Sequence, residues 1–408
     1  MTVGEEYWIW LQSALGAGAR VSGMLNYYKD PAAIYDALCR RELDSLVEPS
    51  VRRRLSRCSP SQSYAVQKAC AEGGYHIITP ESPFYPAGFR HLDAMPLVLY
   101  VNGDPSLLVQ PLAIGFVGTR NASVYGKRAA EQLSYSVAAA GAVVVSGCAM
   151  GIDSCCHYGA LQAKGATIAY VGTGLDADYP KGNRSLRAAI AKHGAIVSEY
   201  PPGSVITKGN FPVRNRLIAA STLGVVVVEA NEKSGALITA HYAMEYGKDV
   251  FAVPGEITSP AFTGGNRLIH DGAKPVFNAM DILEEYAYEY GAGLDLKKAQ
   301  QASVTPQPLP VEQASKTAAQ HPAKPALAEG AAPARQVKSE KKTKKELPSY
   351  IDKSGRNIYD LIWSTGKAEV DWIAESLSLD IASVLSALVS LELAGVVQKG
   401  EGNQYLLT

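Results

Sequence analysis

The chain has six cysteines, at 39, 58, 70, 148, 155 and 156. None forms a CxxC pair, so neither a zinc site nor a redox dithiol is expected. No stretch approaches the roughly eighteen apolar residues of a membrane span. The opening Met-Thr-Val-Gly-Glu-Glu lacks a basic segment leading into an apolar one, so no secretory signal is expected. Net charge is also missing: 39 Lys and Arg balance 39 Asp and Glu. Global basicity therefore announces no polyanion partner, although a local basic groove stays open. The catalytic signatures fail one by one. There is no GxxxxGK[ST] and no GxSxG, and the turn after the first core strand, Gly118-Thr119-Arg120-Asn121-Ala122-Ser123, is not GxGxxG. The second strand ends in Ser146-Gly147 where a dinucleotide enzyme needs an acid. Pro254-Gly255-Glu256-Ile257-Thr258 does not match the Pro-Gly-Gly-x-Gly-Thr-x-x-Glu loop of nucleotide-sugar hydrolases. These absences predict a cytoplasmic protein with reduced thiols, no catalytic residue, no metal and no cofactor.

With 408 residues, 47% hydrophobic and 19% charged, the chain is long enough for two to three domains. Residues 1–70 read as a small helical domain. Trp8, Leu11 and Leu15 fall at helical spacing, Gly16-Ala17-Gly18 stops the run, and a second helix follows near Val21–Tyr28. Helix, Gly-x-Gly, helix is the outline of a helix-hairpin-helix element whose amides grip a phosphodiester; a packing or partner domain fits the same residues. Residues 71–112 are a connecting segment packed on the core, with short extended pieces at Tyr75–Ile78 and Leu97–Val101 and a turn at Asn102-Gly103-Asp104.

Residues 113–290 alternate apolar runs with helical stretches. The runs are Ala113–Val117, Ala142–Val145, Ala166–Val171, Ala195–Val197, Val225–Val228 and Val250–Val253; the helices lie near Ser123–Ala140, Ile152–Ala163, Ser185–His193, Arg214–Ser221 and Gly235–Tyr246. Strands this uniformly apolar are covered on both faces, which predicts an α/β fold with a Rossmann-like, doubly wound parallel sheet. Residues 291–350 are a Pro/Ala/Lys-rich linker of disordered composition. From Lys297 to Tyr350 ten basic residues face four Glu, so it reads as a solvated tether or as an electrostatic arm. Residues 351–408 carry helices at Ile358–Trp363, Val370–Leu377 and Ile381–Leu393 and a hairpin with its turn at Lys399–Asn403, a winged-helix outline. The third helix has no Lys or Arg, which favours protein contact over reading of a duplex.

The strand ends of the core are polar and glycine-rich, and in an open α/β sheet they share the ligand-binding rim. Glycines allow close backbone approach, helix N-termini offer free amides, and arginines supply forked donors for phosphate. The candidate phosphate-binding residues are Gly118, Thr119 and Arg120; Ser146 and Gly147; Lys181, Asn183 and Arg184; Lys208; Phe211, Arg214, Asn215 and Arg216; and Ser234 and Gly235. The Phe211-Pro212 pair places both Arg214 and Arg216 near the first turn of a helix, where both can face one groove. Bland readings stand beside these. Asp153 reads as a first-turn residue holding amides, Cys155-Cys156-His157 as a packing surface, and Asp176 and Asp178 as loop-shaping residues.

The ordered motifs resemble the bacterial DNA-processing protein A (DprA/Smf) family. They are Gly118-Thr119-Arg120, Ser146-Gly147 with Gly151-Ile152-Asp153, Gly172-Thr173-Gly174-Leu175-Asp176, Ser198-Glu199-Tyr200-Pro201-Pro202-Gly203, Phe211-Pro212-Val213-Arg214-Asn215-Arg216, Ser234-Gly235-Ala236-Leu237-Ile238-Thr239-Ala240 and Val253-Pro254-Gly255. The resemblance implies a non-enzymatic, single-stranded-DNA-binding recombination mediator, cytoplasmic and free of membrane. Such a protein protects incoming DNA in natural transformation, loads a RecA-type recombinase and works as a homodimer through the Rossmann-like domain. The family's phosphate-binding arginine falls on Arg120. The chain departs from the usual pattern at Cys148, Met150 and Cys155-Cys156, where Leu, Arg and alanines are commoner; the charge lost at Met150 is expected to reshape the groove, with the basic linker compensating. A nucleotide- or nucleoside-phosphate-processing enzyme on the same rim is the alternative, and a protein scaffold acting through the C-terminal module a third reading.

Overall fold

The computed structural model describes residues 4–45, 47–302, 353–365, 367–377, 379, 381–394, 396–399 and 404–407. These fall into two compact units, one ending at 302 and one beginning at 353. The linker 303–350, with its Lys341–Lys345 run, lies outside the described residues.

The first unit is built on a nine-stranded sheet in the order β1-β2-β6-β5-β4-β3-β7-β8-β9. Its strands are β1 (His76–Ile78), β2 (Leu99–Gly103), β3 (Ala113–Gly118), β4 (Val143–Ser146), β5 (Thr167–Val171), β6 (Ala195–Ser198), β7 (Gly224–Glu229), β8 (Asp249–Ala252) and β9 (Lys274–Pro275). All six apolar runs became parallel strands, running outward from β3 to β6 and then back to β7 beside β3. Side chains alternate between the faces: Val143, Val145, Val225 and Val227 enter one core, Val144, Val226 and Val228 the other. Burial on both faces is why these strands lack polar positions. The connecting segment does more than pack on the core. Its two extended pieces join the sheet, β2 pairing antiparallel with β6 and β1 with β2.

The helices are α1 (Glu5–Leu15), α2 (Ser22–Tyr28), α3 (Pro31–Cys39), α4 (Pro49–Ser56), α5 (Ser63–Gly73), α6 (Val124–Ala139), α7 (Ile152–Gln162), α8 (Arg184–His193), α9 (Asn210–Ala220), α10 (Ala236–Glu245) and α11 (Thr263–His270). On one face α9 and α10 cover Val145, Tyr170, Val197 and Val227. On the other, α6 and α7 cover Phe116, Val144 and Val226, while the N-terminal helices continue the layer over Tyr100, Ala169 and Ile196. α1 is accordingly buried nearly all round: Trp8, Ile9, Trp10, Leu11 and Leu15 share one core with those strands. Gln12 ties the layers together, donating to the carbonyls of Val98 (2.9 Å) and Glu199 (2.8 Å) and accepting from the Tyr100 hydroxyl (3.0 Å).

Composition placed the linker from residue 291, but a short helix at Leu296–Gln301 still packs on the unit through buried Ala299, alongside Leu294 and Leu296. Three apolar side chains suffice to hold that stretch before the Pro-rich sequence begins. Among the described residues, no helix is long and apolar enough to cross a membrane.

The second unit comprises helices Lys353–Thr365, Val370–Leu377 and Ile381–Leu393 and a sheet in which Gln404–Leu407 pairs antiparallel with both Lys367–Glu369 and Val397–Lys399. Ile358, Tyr359, Ile362, Ile373, Val384, Leu388, Leu391 and Tyr405 form its core. The predicted third helix has the bounds read from the sequence; most of the turn at Lys399–Asn403 lies outside the described residues.

Because α1 and the sheet share one core, Trp10→Ala is expected to cost about 3–5 kcal/mol. Native-state hydrogen exchange should show α1 and β6 losing protection by the same amount. Loss confined to α1 would mean that the helical layer folds as a separate unit.

Candidate nucleic-acid interface

The sheet reverses its winding between β3 and β7, and an open cleft of about 440 Å³ lies at their carboxyl ends. It is lined by Gly118, Thr119 and Arg120 after β3, Ala149 and Asp153 after β4, Lys208, Phe211, Pro212, Arg214 and Asn215 around the start of α9, and Asn231, Lys233, Ser234 and Gly235 after β7. A smaller notch of about 80 Å³ continues past Arg120 and Phe211 to Met150, Gly172, Tyr179 and Pro180. This is the crevice that an open doubly wound sheet offers to ligands.

Two carboxylates decide its electrostatics. Glu229, at the end of β7, is 1% exposed and accepts from the backbone N–H of Ser123 (3.1 Å) and from its hydroxyl (2.6 Å) at the start of α6. A Cβ on Gly126 would collide with that carboxylate, so glycine is required there. Asp153, in the first turn of α7, accepts from the Ala149 N–H at 3.3 Å, as its amide-holding reading supposed. Burial raises its carboxyl above the ordinary range, opposed by Arg214 and the surrounding amides. Both carboxylates therefore take up amides just ahead of α6 and α7 and sit beside the starts of those helices.

The three arginines have separate positions. α9 begins at Asn210, four residues before the predicted start, so Arg214 and Arg216 sit in its second turn rather than its first. Two residues apart on a helix is about 200°, and the side chains diverge accordingly. Arg216 points inward. Its side chain is 4% exposed, that of Glu199 3%, and Nη2 lies 2.8 Å from both carboxylate oxygens. In this structure its Nη2 serves as an ion partner to Glu199. Arg214 lies beneath the cleft, its Nη1 donating to the carbonyls of Gly147 (2.7 Å) and Tyr170 and its Nε to Asn215 Oδ1 (3.2 Å). A Cβ on Gly147 would strike the guanidinium, which explains the glycine. Arg120 alone of the three is exposed, held with its guanidinium carbon 5.4 Å from the Phe211 ring centroid. Phe211 in turn lies 5.6 Å from Tyr179.

Other candidates sort in the same way. Ser146 is buried and donates to the Phe116 carbonyl at 2.7 Å, and Asn183 is buried between the Cys148 carbonyl and Ser154, both at 2.9 Å. Both are committed to internal hydrogen bonds that hold loops. Asn215 spans the cleft to the Gly235 carbonyl at 3.2 Å. Lys208 is exposed on the cleft wall, whereas the exposed Lys181 and Arg184 lie outside the lining. Lys233 was missed although it is exposed in the lining; the same strand-end logic applied to Asn231–Ser234 finds it. The Gly16-Ala17-Gly18 hairpin also faces inward: the Gly18 N–H donates to Glu199 Oε1 at 3.2 Å. That amide serves an internal carboxylate and offers no phosphodiester grip.

Cys156 packs in the core of α7, and burial pushes the thiols of Cys148 up to about 12 and Cys155 up to about 11. Neither is a thiolate nucleophile near neutral pH. His157 is buried and donates from Nδ1 to Thr167, whose hydroxyl is committed to the Val144 carbonyl.

A doubly wound parallel sheet with a cleft at its winding reversal defines a Rossmann-like binding protein. The chain matches the family described as DNA recombination-mediator protein A over residues 76–287 and the DprA winged helix domain over residues 356–403, and it belongs to that family. It is 36% identical over 286 residues to the DNA processing protein DprA of Bacillus subtilis, covering 63% of this chain and 96% of the relative. It is 35% identical over 332 residues to protein Smf of Synechocystis, covering 81% and 79%. The solved structure of DNA processing protein A from Streptococcus pneumoniae superposes with a TM-score of 0.61 at 33% identity, covering 70% of this chain and 99% of that one. A DNA-processing, recombination-mediator role follows, and the C-terminal unit is a winged helix.

Arg216→Ala leaves the buried Glu199 carboxyl without its partner and is expected to destabilise the fold by about 3–5 kcal/mol in denaturant unfolding. A loss under 1 kcal/mol would contradict the pairing. A second expectation concerns acid. Burial pushes His157 down from 6.5 to about 3, so the unfolded chain binds a proton that the folded one refuses. Its contribution is complete above about pH 6.5 and is lost as pH falls toward 3, with a slope approaching about 1.4 kcal/mol per pH unit. Unfolding free energies of the wild type and His157→Gln should converge as pH drops through this window; parallel curves would refute the assignment.

Proposed function

We propose that the cleft binds the sugar-phosphate backbone of single-stranded DNA without reading its sequence. The observation carrying this reading is the exposed Arg120 guanidinium over Phe211 at the mouth of a cleft whose other arginines are committed to the protein. Lys208 and Lys233 add solvated charge on the same lining. Exposed cations bind a polyanion by releasing its counterions, and aromatic rings stack on any base. The Glu229 carboxylate at the start of α6 puts negative charge where a Rossmann pyrophosphate would sit, which weighs against the nucleotide-processing alternative.

On this reading the protein holds incoming single strands during natural transformation, protects them and passes them to a RecA-type recombinase in the cytoplasm. A homodimer through the Rossmann-like unit joins two clefts and raises avidity. The winged helix serves as a protein contact: Trp372 and Leu385 are exposed, and its third helix carries no basic residue.

Fluorescence anisotropy across a salt series tests the DNA reading. Wild type is expected to prefer oligo-dT to duplex. Arg120→Ala should weaken binding about tenfold, as for one charge-assisted hydrogen bond. It should also flatten the log–log salt slope by about 0.7. An unchanged slope in a natively stable variant would refute the role of Arg120.

A further inference from the structure

Outside the cleft, a groove of about 490 Å³ lies between α2 and α4. Its floor is apolar, with Met24 and Val51, and its walls carry Tyr27, Tyr28, Arg20 and Glu48. Tyr27 is 69% exposed and meets Tyr28 edge-on at 4.8 Å. Arg20 is exposed, whereas Arg54 at the groove's end donates from Nε to the Ala14 carbonyl at 3.1 Å and so caps α1. An exposed ring, a guanidinium and an apolar floor are the elements that hold one unpaired strand: a stacking platform beside a cation.

One wall residue of the groove, Arg20, lies close to the cleft. Pro212 lines the cleft, and its neighbour Val213 packs on the hairpin, where its Cγ1 would be 2.7 Å from a Cβ on Gly18. Arg20 is two residues further. Summing bond geometry, Pro212 and Arg20 stand within about 18 Å of one another, a span that a few extended nucleotides cover. We propose that the α2–α4 groove takes the continuation of the single strand held at the sheet rim, with Tyr27 stacking on a base and Arg20 neutralising a phosphate. The proposal rests on the rim reading given above. The Glu48 carboxylate on the wall makes this the weaker of the two contacts and keeps it dependent on the rim for local concentration. The contact is made by side chains, the hairpin amide of Gly18 being occupied by Glu199.

The test compares wild type, Arg20→Ala/Tyr27→Ala and Arg120→Ala on two oligo-dT probes, one of roughly four nucleotides, enough to occupy the rim alone, and one of roughly thirty. Both substituted groove residues are exposed, so the double variant is expected to keep wild-type thermal stability. The groove variant should bind the short probe as wild type does and the long probe about tenfold more weakly, with a salt slope shallower by about 0.7. A long probe carrying 5-iodouracil should cross-link to Tyr27. Equal long-probe affinity and slope in wild type and groove variant, with no cross-link at Tyr27, would overturn the proposal. Failure of the rim reading has another signature: a short probe that wild type does not hold, or that it holds as well after Arg120→Ala.

Discussion

The ion pair between Arg216 and Glu199 fixes the geometry on which the site depends. It joins α9 to the end of β6, and the same carboxylate holds the hairpin of the helical layer through the Gly18 N–H. The Glu199 carbonyl accepts from Gln12 on α1. Three layers thus meet at one residue. A pair this buried adds little net stability over a well-packed apolar substitute, but removing one partner is costly. Its consequence is orientational. With Arg216 anchored inward, the helical period turns Arg214 beneath the strand ends and sets Phe211 and Pro212 on the cleft.

The rim shows a division of labour among charges. Where a dinucleotide-binding sheet keeps helix starts clear for a pyrophosphate, this chain sets Glu229 and Asp153 beside the starts of α6 and α7, on the amides of Ser123 and Ala149. In the cleft lining, the positive groups that remain exposed are long side chains at the edge: Arg120, Lys208 and Lys233. Such an arrangement suits a polymer whose phosphates pass along a surface better than a small ligand fixed in a pocket. The apolar neighbours Phe211, Tyr179 and Met150 suit bases turned away from that backbone.

Much of this was legible in the residues. Uniformly apolar runs separated by helical stretches could only be a sheet covered on both sides, and each run is a parallel strand. The strand-end glycines marked the rim for the same reason. Four features were not legible. His76–Ile78 and Leu99–Gly103 are too short to announce that they extend the main sheet, because antiparallel pairing at its edge is a long-range choice. Phe211-Pro212 read as a helix opener, whereas the helix starts at Asn210, whose amide reaches the Gly172 carbonyl at 3.0 Å. That shift of one turn changes the role of Arg216. Its burial depends on Glu199, a residue that sequence spacing alone does not identify as its partner. Asn183 and Ser146 matched the motif but serve the loops that shape the rim.

If the two motif arginines on α9 build the site while Arg120 meets the ligand, the buried charges contribute nothing to the salt dependence of binding. The most direct measurement is the salt dependence of oligo-dT binding by the double variant Glu199→Gln/Arg216→Met, which removes the buried charges together and keeps an acceptor for Gly18 N–H. Wild-type affinity and slope are expected. Weaker binding with a slope shallower by about 0.7 in a folded variant would show that Arg216 neutralises a phosphate, and would contradict this expectation.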